Sequence, residues 1–205
     1  MKKKRTAYFL TICLVLCMVL GACTGKSAPT NFYLLNVESA SSSPVDVSSE
    51  TGHLKIGIGP VEIPAYLDRP QIVTRSGPNR LHLAEFDSWA EPLKETIDRL
   101  MVETISGMMD QTAVVVLPWN GRMTLDYQVV VEVIQMDNQK SGEAFLAVRW
   151  AMLKSYSNQI ISVHRKTYSH PFNMNEIETY AAAHSRNFES LCRDISMELK
   201  ALTDN

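Results

Sequence analysis

The segment Gly57–Leu93, GIGPVEIPAYLDRPQIVTRSGPNRLHLAEFDSWAEPL, limits the fold more than any other part of the chain. Pro60, Pro64, Pro70 and Pro78 each fix φ and remove a backbone donor, so no long helix can run through it. The spacing predicts short extended pieces joined by turns. Between the prolines stand Val61, Ile63, Tyr66, Leu67, Ile72, Val73, Leu81, Leu83, Phe86 and Trp89, more apolar surface than a solvated linker carries. The segment is therefore expected to pack on a domain while presenting part of itself to a partner.

What precedes it is an address. Lys2, Lys3, Lys4 and Arg5 form a basic n-region, and Ala7 to Val19 is an apolar run too short to span a bilayer as a mature helix. The run ends in Leu20-Gly21-Ala22-Cys23, which resembles the lipobox of bacterial lipoproteins. That resemblance implies cleavage before Cys23, lipid on its sulfur, and a protein anchored to a membrane without spanning it. Thr24 stands where lipoproteins retained at the inner membrane usually carry Asp, so the same rule implies the outer membrane, facing the periplasm. The expected division is a cleaved signal over 1–22, a lipidated tether over 23–31 and a single periplasmic domain over 32–205.

Losing the signal has two physical consequences. Of four cysteines, Cys13 and Cys17 leave and Cys23 is acylated, so Cys192 is alone and no internal disulfide can form. Four of the twenty Lys and Arg also leave, so sixteen basic residues face twenty-two acidic ones. A net charge of about −6 gives no basic footprint for nucleic acid.

Along the chain, Phe32–Val37 reads as a strand and Glu38–Gly52, rich in serine, as a flexible loop. Leu54–Ile63 is the next strand, where Gly57 and Gly59 signal a close approach of backbone or side chain. Leu93, Ile97, Leu100, Met101, Ile105 and Met108 recur at helical spacing behind Pro92. Ala113–Leu117 reads as a strand and Asn120-Gly121 as a turn. Met123–Met136, Glu143–Leu153 and Gln159–Phe172 read as an antiparallel meander. A last helix is expected from Asn175, with Glu178 in capping-box register and an apolar stripe from Ile177 to Leu202. The sum is α+β: a mainly antiparallel sheet of about five to seven strands with two amphipathic helices packed on one face.

The residues hold no nucleophile–base–orienter set, no His-Glu-x-x-His, no Cys-x-x-Cys and no phosphate loop, so the chain is not expected to be an enzyme or to hold a cofactor or metal. His82, Glu85 and Asp87 approach a ligand cluster in sequence, but an extended backbone points His82 away from the other two. His164 and His170 share a face yet lie six residues apart, at roughly 3.3 Å each. Asp68-Arg69, set rigidly between Leu67 and Pro70, fits either a structural ion pair or an Arg69 fork reaching a partner carboxylate or lipid phosphate. Trp89 fits either a core position or a partner contact.

The run Gly59-Pro60-Val61-Glu62-Ile63-Pro64-Ala65-Tyr66-Leu67-Asp68-Arg69-Pro70-Gln71-Ile72-Val73, with Trp89-Ala90-Glu91-Pro92-Leu93, resembles the PqiC/YmbA family of ABC-type transport auxiliary lipoproteins. Phe32-Tyr33-Leu34-Leu35 fits that family's first strand. The resemblance implies an outer-membrane lipoprotein serving an envelope-spanning route for lipids or other hydrophobic molecules. Its partners would be an MCE-domain protein (PqiB-like), an inner-membrane PqiA-like protein and other copies of itself in a ring. Tyr66, Asp68, Arg69 and Trp89 would then be the partner-binding residues. A lipid-binding or outer-membrane assembly chaperone is the competing class.

Overall fold

The computed structural model describes residues 28–37, 54–109, 112–118, 124–139 and 141–203. The signal segment, Cys23, the serine-rich 38–52 stretch and the Asn120-Gly121 turn lie outside the described residues.

Eight strands and two helices follow in the order β1 (Asn31–Tyr33), β2 (Leu54–Glu62), β3 (Gln71–Gly77), β4 (Arg80–Trp89), α1 (Leu93–Met108), β5 (Thr112–Val116), β6 (Tyr127–Asn138), β7 (Glu143–Lys154), β8 (Gln159–Pro171) and α2 (Ile177–Thr203). The α+β class and the two helices match the expectation. The strands, however, divide into two mixed sheets: one in the order β5-β2-β6-β7-β8 and a smaller one in the order β1-β4-β3. β6, β7 and β8 form the expected meander, whereas β2 pairs in parallel with both β5 and β6, and β1 pairs in parallel with β4.

Two corrections to the local readings have clear causes. The proline-broken segment holds two regular strands, because Pro70 falls just before β3 and Pro78 in the turn between β3 and β4, where a missing donor is harmless. β1 is shorter than expected, because the chain turns away to α2, where the Asn36 amide donates to Ser185 Oγ at 3.0 Å.

The core lies between the large sheet and both helices. Ile56, Ile58 and Val61 of β2 and Val129, Val131 and Val133 of β6 alternate inward, and Ile97, Met101 and Ile105 of α1 meet them. Phe188, Leu191, Ile195 and Leu199 of α2 cover β7 and β8, each fully buried side chain contributing about 1.5–3 kcal/mol. Cys192 is buried in this layer, and burial raises its thiol pKa, consistent with a packing role. The glycine signal in β2 also holds. A Cβ on Gly57 would stand 2.7 Å from a Leu125 methyl, and Gly59 has φ +122° at a register shift in the β2–β6 ladder. α2 starts differently from the capping-box reading: Asn173 accepts from the Asn175 amide at 3.1 Å, and Thr179 Oγ1 accepts from the Asn173 amide at 2.9 Å.

Candidate functional site

The loop Pro64–Pro70 joins the large sheet to the small one and is tied at both ends. The Leu67 amide donates to the Pro64 carbonyl at 2.9 Å and the Arg69 amide to the Leu67 carbonyl at 2.8 Å. At its exit the Trp89 amide donates to the Pro70 carbonyl at 2.7 Å, and the Ala90 amide donates to the Tyr33 carbonyl at 2.9 Å. The loop therefore shares a frame with β1 and β4.

Its side chains divide the labour. Leu67 is buried, and the Tyr66 ring packs half-buried against the core while its hydroxyl accepts from the Met136 amide at 3.3 Å. Burial, the largest cause, raises the Tyr66 phenol pKa, so it stays neutral. Trp89 is only 6% exposed and belongs to the core, so it supports the loop from behind. Asp68 is exposed and Arg69 half-exposed, and the ion pairs among the described residues do not include one between them. The structural ion pair considered for Asp68-Arg69 is thus not formed. Arg69 Nε is shielded from solvent and has no hydrogen-bond partner among the described residues.

Beneath the loop sits a polar cluster whose assembly the sequence does not reveal. The Asp137 carboxylate is fully buried. Arg75 Nε and Nη2 reach its Oδ2 at 2.8 and 2.6 Å, and Gln135 donates to Oδ1 at 2.8 Å. Asn138 completes the join by accepting from the Arg75 amide at 2.6 Å and donating to the Arg75 carbonyl at 3.2 Å. From α2, Tyr180 donates to the Val73 carbonyl at 2.9 Å, and its ring meets His184 edge-on at 4.5 Å. Burial pushes the His184 imidazole down to about 3, opposed only in part by the nearby Asp137 backbone, so the ring is neutral. β3, β6 and α2 are locked together here, directly under the loop.

The remaining sequence candidates are held apart. Asp87 accepts from Asn31 Nδ2 at 3.0 Å and from the Tyr33 hydroxyl at 2.9 Å, tying β1 down, while His82 and Glu85 are exposed. His170 shares a 2.8 Å hydrogen bond with Asn187. His164 stacks on Trp150 at 4.2 Å between centroids and lies 3.0 Å from Glu198 Oε2. Ser162 also donates to Glu198, at 2.5 Å from Oε1. Serine and histidine thus lean on one carboxylate, whereas a hydrolytic triad needs the hydroxyl on the imidazole. Among the described residues no group of three or more His, Cys, Asp or Glu is placed to hold a metal, and no helix is long and apolar enough to cross a membrane.

A family model described as "ABC-type transport auxiliary lipoprotein component" matches residues 33–196. The search of curated proteins gave no significant match. Among solved structures, a crystal structure of an uncharacterized protein aligns at 14% identity and TM-score 0.68, covering 84% of this chain and 99% of its own. A protein from Xanthomonas campestris with the family designation DUF330 aligns at 16% identity and TM-score 0.62, covering 82% and 93% respectively. At these identities the two structures speak for the fold alone.

Proposed function

Because the chain belongs to the ABC-type transport auxiliary lipoprotein family, we propose that it is the outer-membrane-anchored, periplasm-facing subunit of an MCE-type, PqiABC-like route for lipids or other hydrophobic molecules. Lipid on Cys23 tethers it, and the domain docks an MCE-domain protein whose inner-membrane counterpart is PqiA-like. The observation that carries this reading is the Pro64–Pro70 loop, fastened at both ends, with exposed Asp68 and an Arg69 whose Nε has no hydrogen-bond partner and whose guanidinium has no ion-pair partner among the described residues. A fixed loop loses little entropy on binding, and a guanidinium without a carboxylate is suited to meet one on another protein. Other copies of the chain arranged as a ring are a second destination for the same loop.

A lipid-carrying chaperone would need an enclosed apolar chamber. Open grooves lie among the described residues. One of about 630 Å³ runs between β1 and α2, lined by Asn31, Tyr33, Glu178 and Ser185 as well as Phe32 and Leu34. That lining favours the docking role.

The test is co-purification of the detergent-extracted lipoprotein with its MCE-domain partner. Arg69→Glu should lower recovery at least tenfold with melting unchanged, and Cys23→Ser should move the protein to the soluble fraction. Unchanged recovery with Arg69→Glu removes the docking role from the loop, and membrane recovery of Cys23→Ser equal to wild type removes the lipid anchor.

A further inference from the structure

The helices cover one face of the large sheet; among the described residues no helix covers the other, which carries an ordered row of charge. The strand register places Glu62 of β2 opposite Glu132 of β6, Glu132 opposite Arg149 of β7, and Arg149 opposite Arg165 of β8. Side chains directly opposite on neighbouring strands share a face, so the four lie side by side across about 14 Å at about 4.8 Å per strand. Their signs read minus, minus, plus, plus. Arg149 donates from Nε to Glu132 Oε2 at 2.8 Å. The outer two, Glu62 and Arg165, are exposed and have no ion-pair partner among the described residues.

Apolar rows flank the charges. Val130, Ala151 and Val163 lie opposite one another on β6, β7 and β8, followed by Leu153 and Ile160. Val163 is 57% exposed and Ile160 59%, large side chains left in water on a face no helix covers. On the other side a groove of about 560 Å³ is bordered by Glu62, Ile63, Pro64, Ile134 and Arg149.

We propose that this face is a self-association surface, on which a second copy of the chain packs face to face about a two-fold axis running along the strands between β6 and β7. The charge pattern selects that occupant. The row is antisymmetric about its midpoint, and a two-fold there sets each residue over the one of opposite sign: Glu62 over the partner's Arg165, and Glu132 over the partner's Arg149. A surface that complements itself under a two-fold is what an isologous contact requires. Two sheets packed face to face stand about 10 Å apart with nearly aligned strands, a gap that Arg and Glu side chains reach across from both sides while the valine and isoleucine rows close beside them. The contact uses the face opposite the helices and needs neither Arg69 nor Asp68.

The test separates contacts between chains from contacts within one. Glu62 and Arg165 lie three strands apart and have no ion-pair partner among the described residues, so reversing either breaks no ion pair recorded within the chain. Two differently tagged versions of the full lipoprotein are co-expressed, extracted in detergent, and one is captured through the other. Wild type should capture wild type. Glu62→Arg with itself sets Arg over Arg165, and Arg165→Glu with itself sets Glu over Glu62; each should lose self-capture about tenfold or more. Glu62→Arg mixed with Arg165→Glu rebuilds both cross-contacts and should recover capture to near the wild-type level. Wild-type-level self-capture by either variant, or no recovery in the mixture, overturns the proposal. Misfolding cannot imitate the positive result, because a misfolded chain would not recover on mixing.

Discussion

Removing Arg75 should harm this protein far more than removing a typical surface arginine, and the reason is Asp137. The Asp137 side chain is 0% exposed while that of Arg75 is 27% exposed, so the pair is asymmetric: the carboxylate has no route to water and the guanidinium keeps one. Arg75→Ala strips two donors from Asp137 Oδ2, leaving Gln135 on Oδ1 as its side-chain donor. A buried charge left without its partner costs about 3–5 kcal/mol. For a domain of this size each kcal/mol lowers Tm by about 2–4 °C, so a fall of about 6–20 °C is expected. The reverse deletion, Asp137→Ala, leaves a partly solvated arginine and should cost about 1–3 kcal/mol. The double variant should cost clearly less than the sum, because no buried charge then remains. Urea unfolding of the four proteins closes the cycle. Arg75→Ala costing under about 1 kcal/mol, or strict additivity in the double variant, would refute the view that this pair locks β3 to β6.

Two further outcomes follow from the same region. Tyr66→Phe should cost about 1–2 kcal/mol in urea unfolding, by leaving the Met136 amide without its acceptor, while recovery of the partner stays at the wild-type level; a selective loss of recovery would return the Tyr66 hydroxyl to the binding surface. Stability should also fall as pH drops from about 6.5 to about 3, because the folded-state pKa of His184 is depressed below its ordinary 6.5 and the unfolded chain binds the proton first. His184→Gln should flatten that part of the profile of unfolding free energy against pH, and an unchanged slope would show that His184 does not carry it.

The sequence was most legible where one periodicity served one neighbour. α1 and α2 each lay a stripe against a sheet, and β6, β7 and β8 are joined by short connections, so spacing alone places them close to their observed bounds. It was least legible where partners are remote. Nothing local says that Leu54–Glu62 will pair in parallel with two strands that come after an intervening helix, or that Asn31 will sit beside Asp87. The polar cluster is hidden for the same reason. Arg75, Asp137 and His184 come from β3, β6 and α2, and an isolated Asp before Asn reads as a turn signal until the fold buries it. Trp89 had two readings because both demand an aromatic residue after a strand. The hydrogen bond from its amide to Pro70 goes with the core position, a long-range fact no window of sequence contains.

The same long-range geometry separates two surfaces that a linear motif merges. The run from Gly59 to Val73 holds Glu62 and Arg69 only seven positions apart, yet they belong to different parts of the fold. Glu62 ends β2 and takes its place in a row whose other members come from β6, β7 and β8, so its partners are fixed by strand register. Arg69 lies beyond Pro64, on a loop fastened to β4 and resting on the Arg75–Asp137 join. A charge reversal at Glu62 should therefore leave recovery of the proposed MCE-domain partner intact, and one at Arg69 should leave the proposed face-to-face self-capture intact. Each assay serves as the other's control, and a variant that disturbs both has damaged the join between the two sheets rather than either surface.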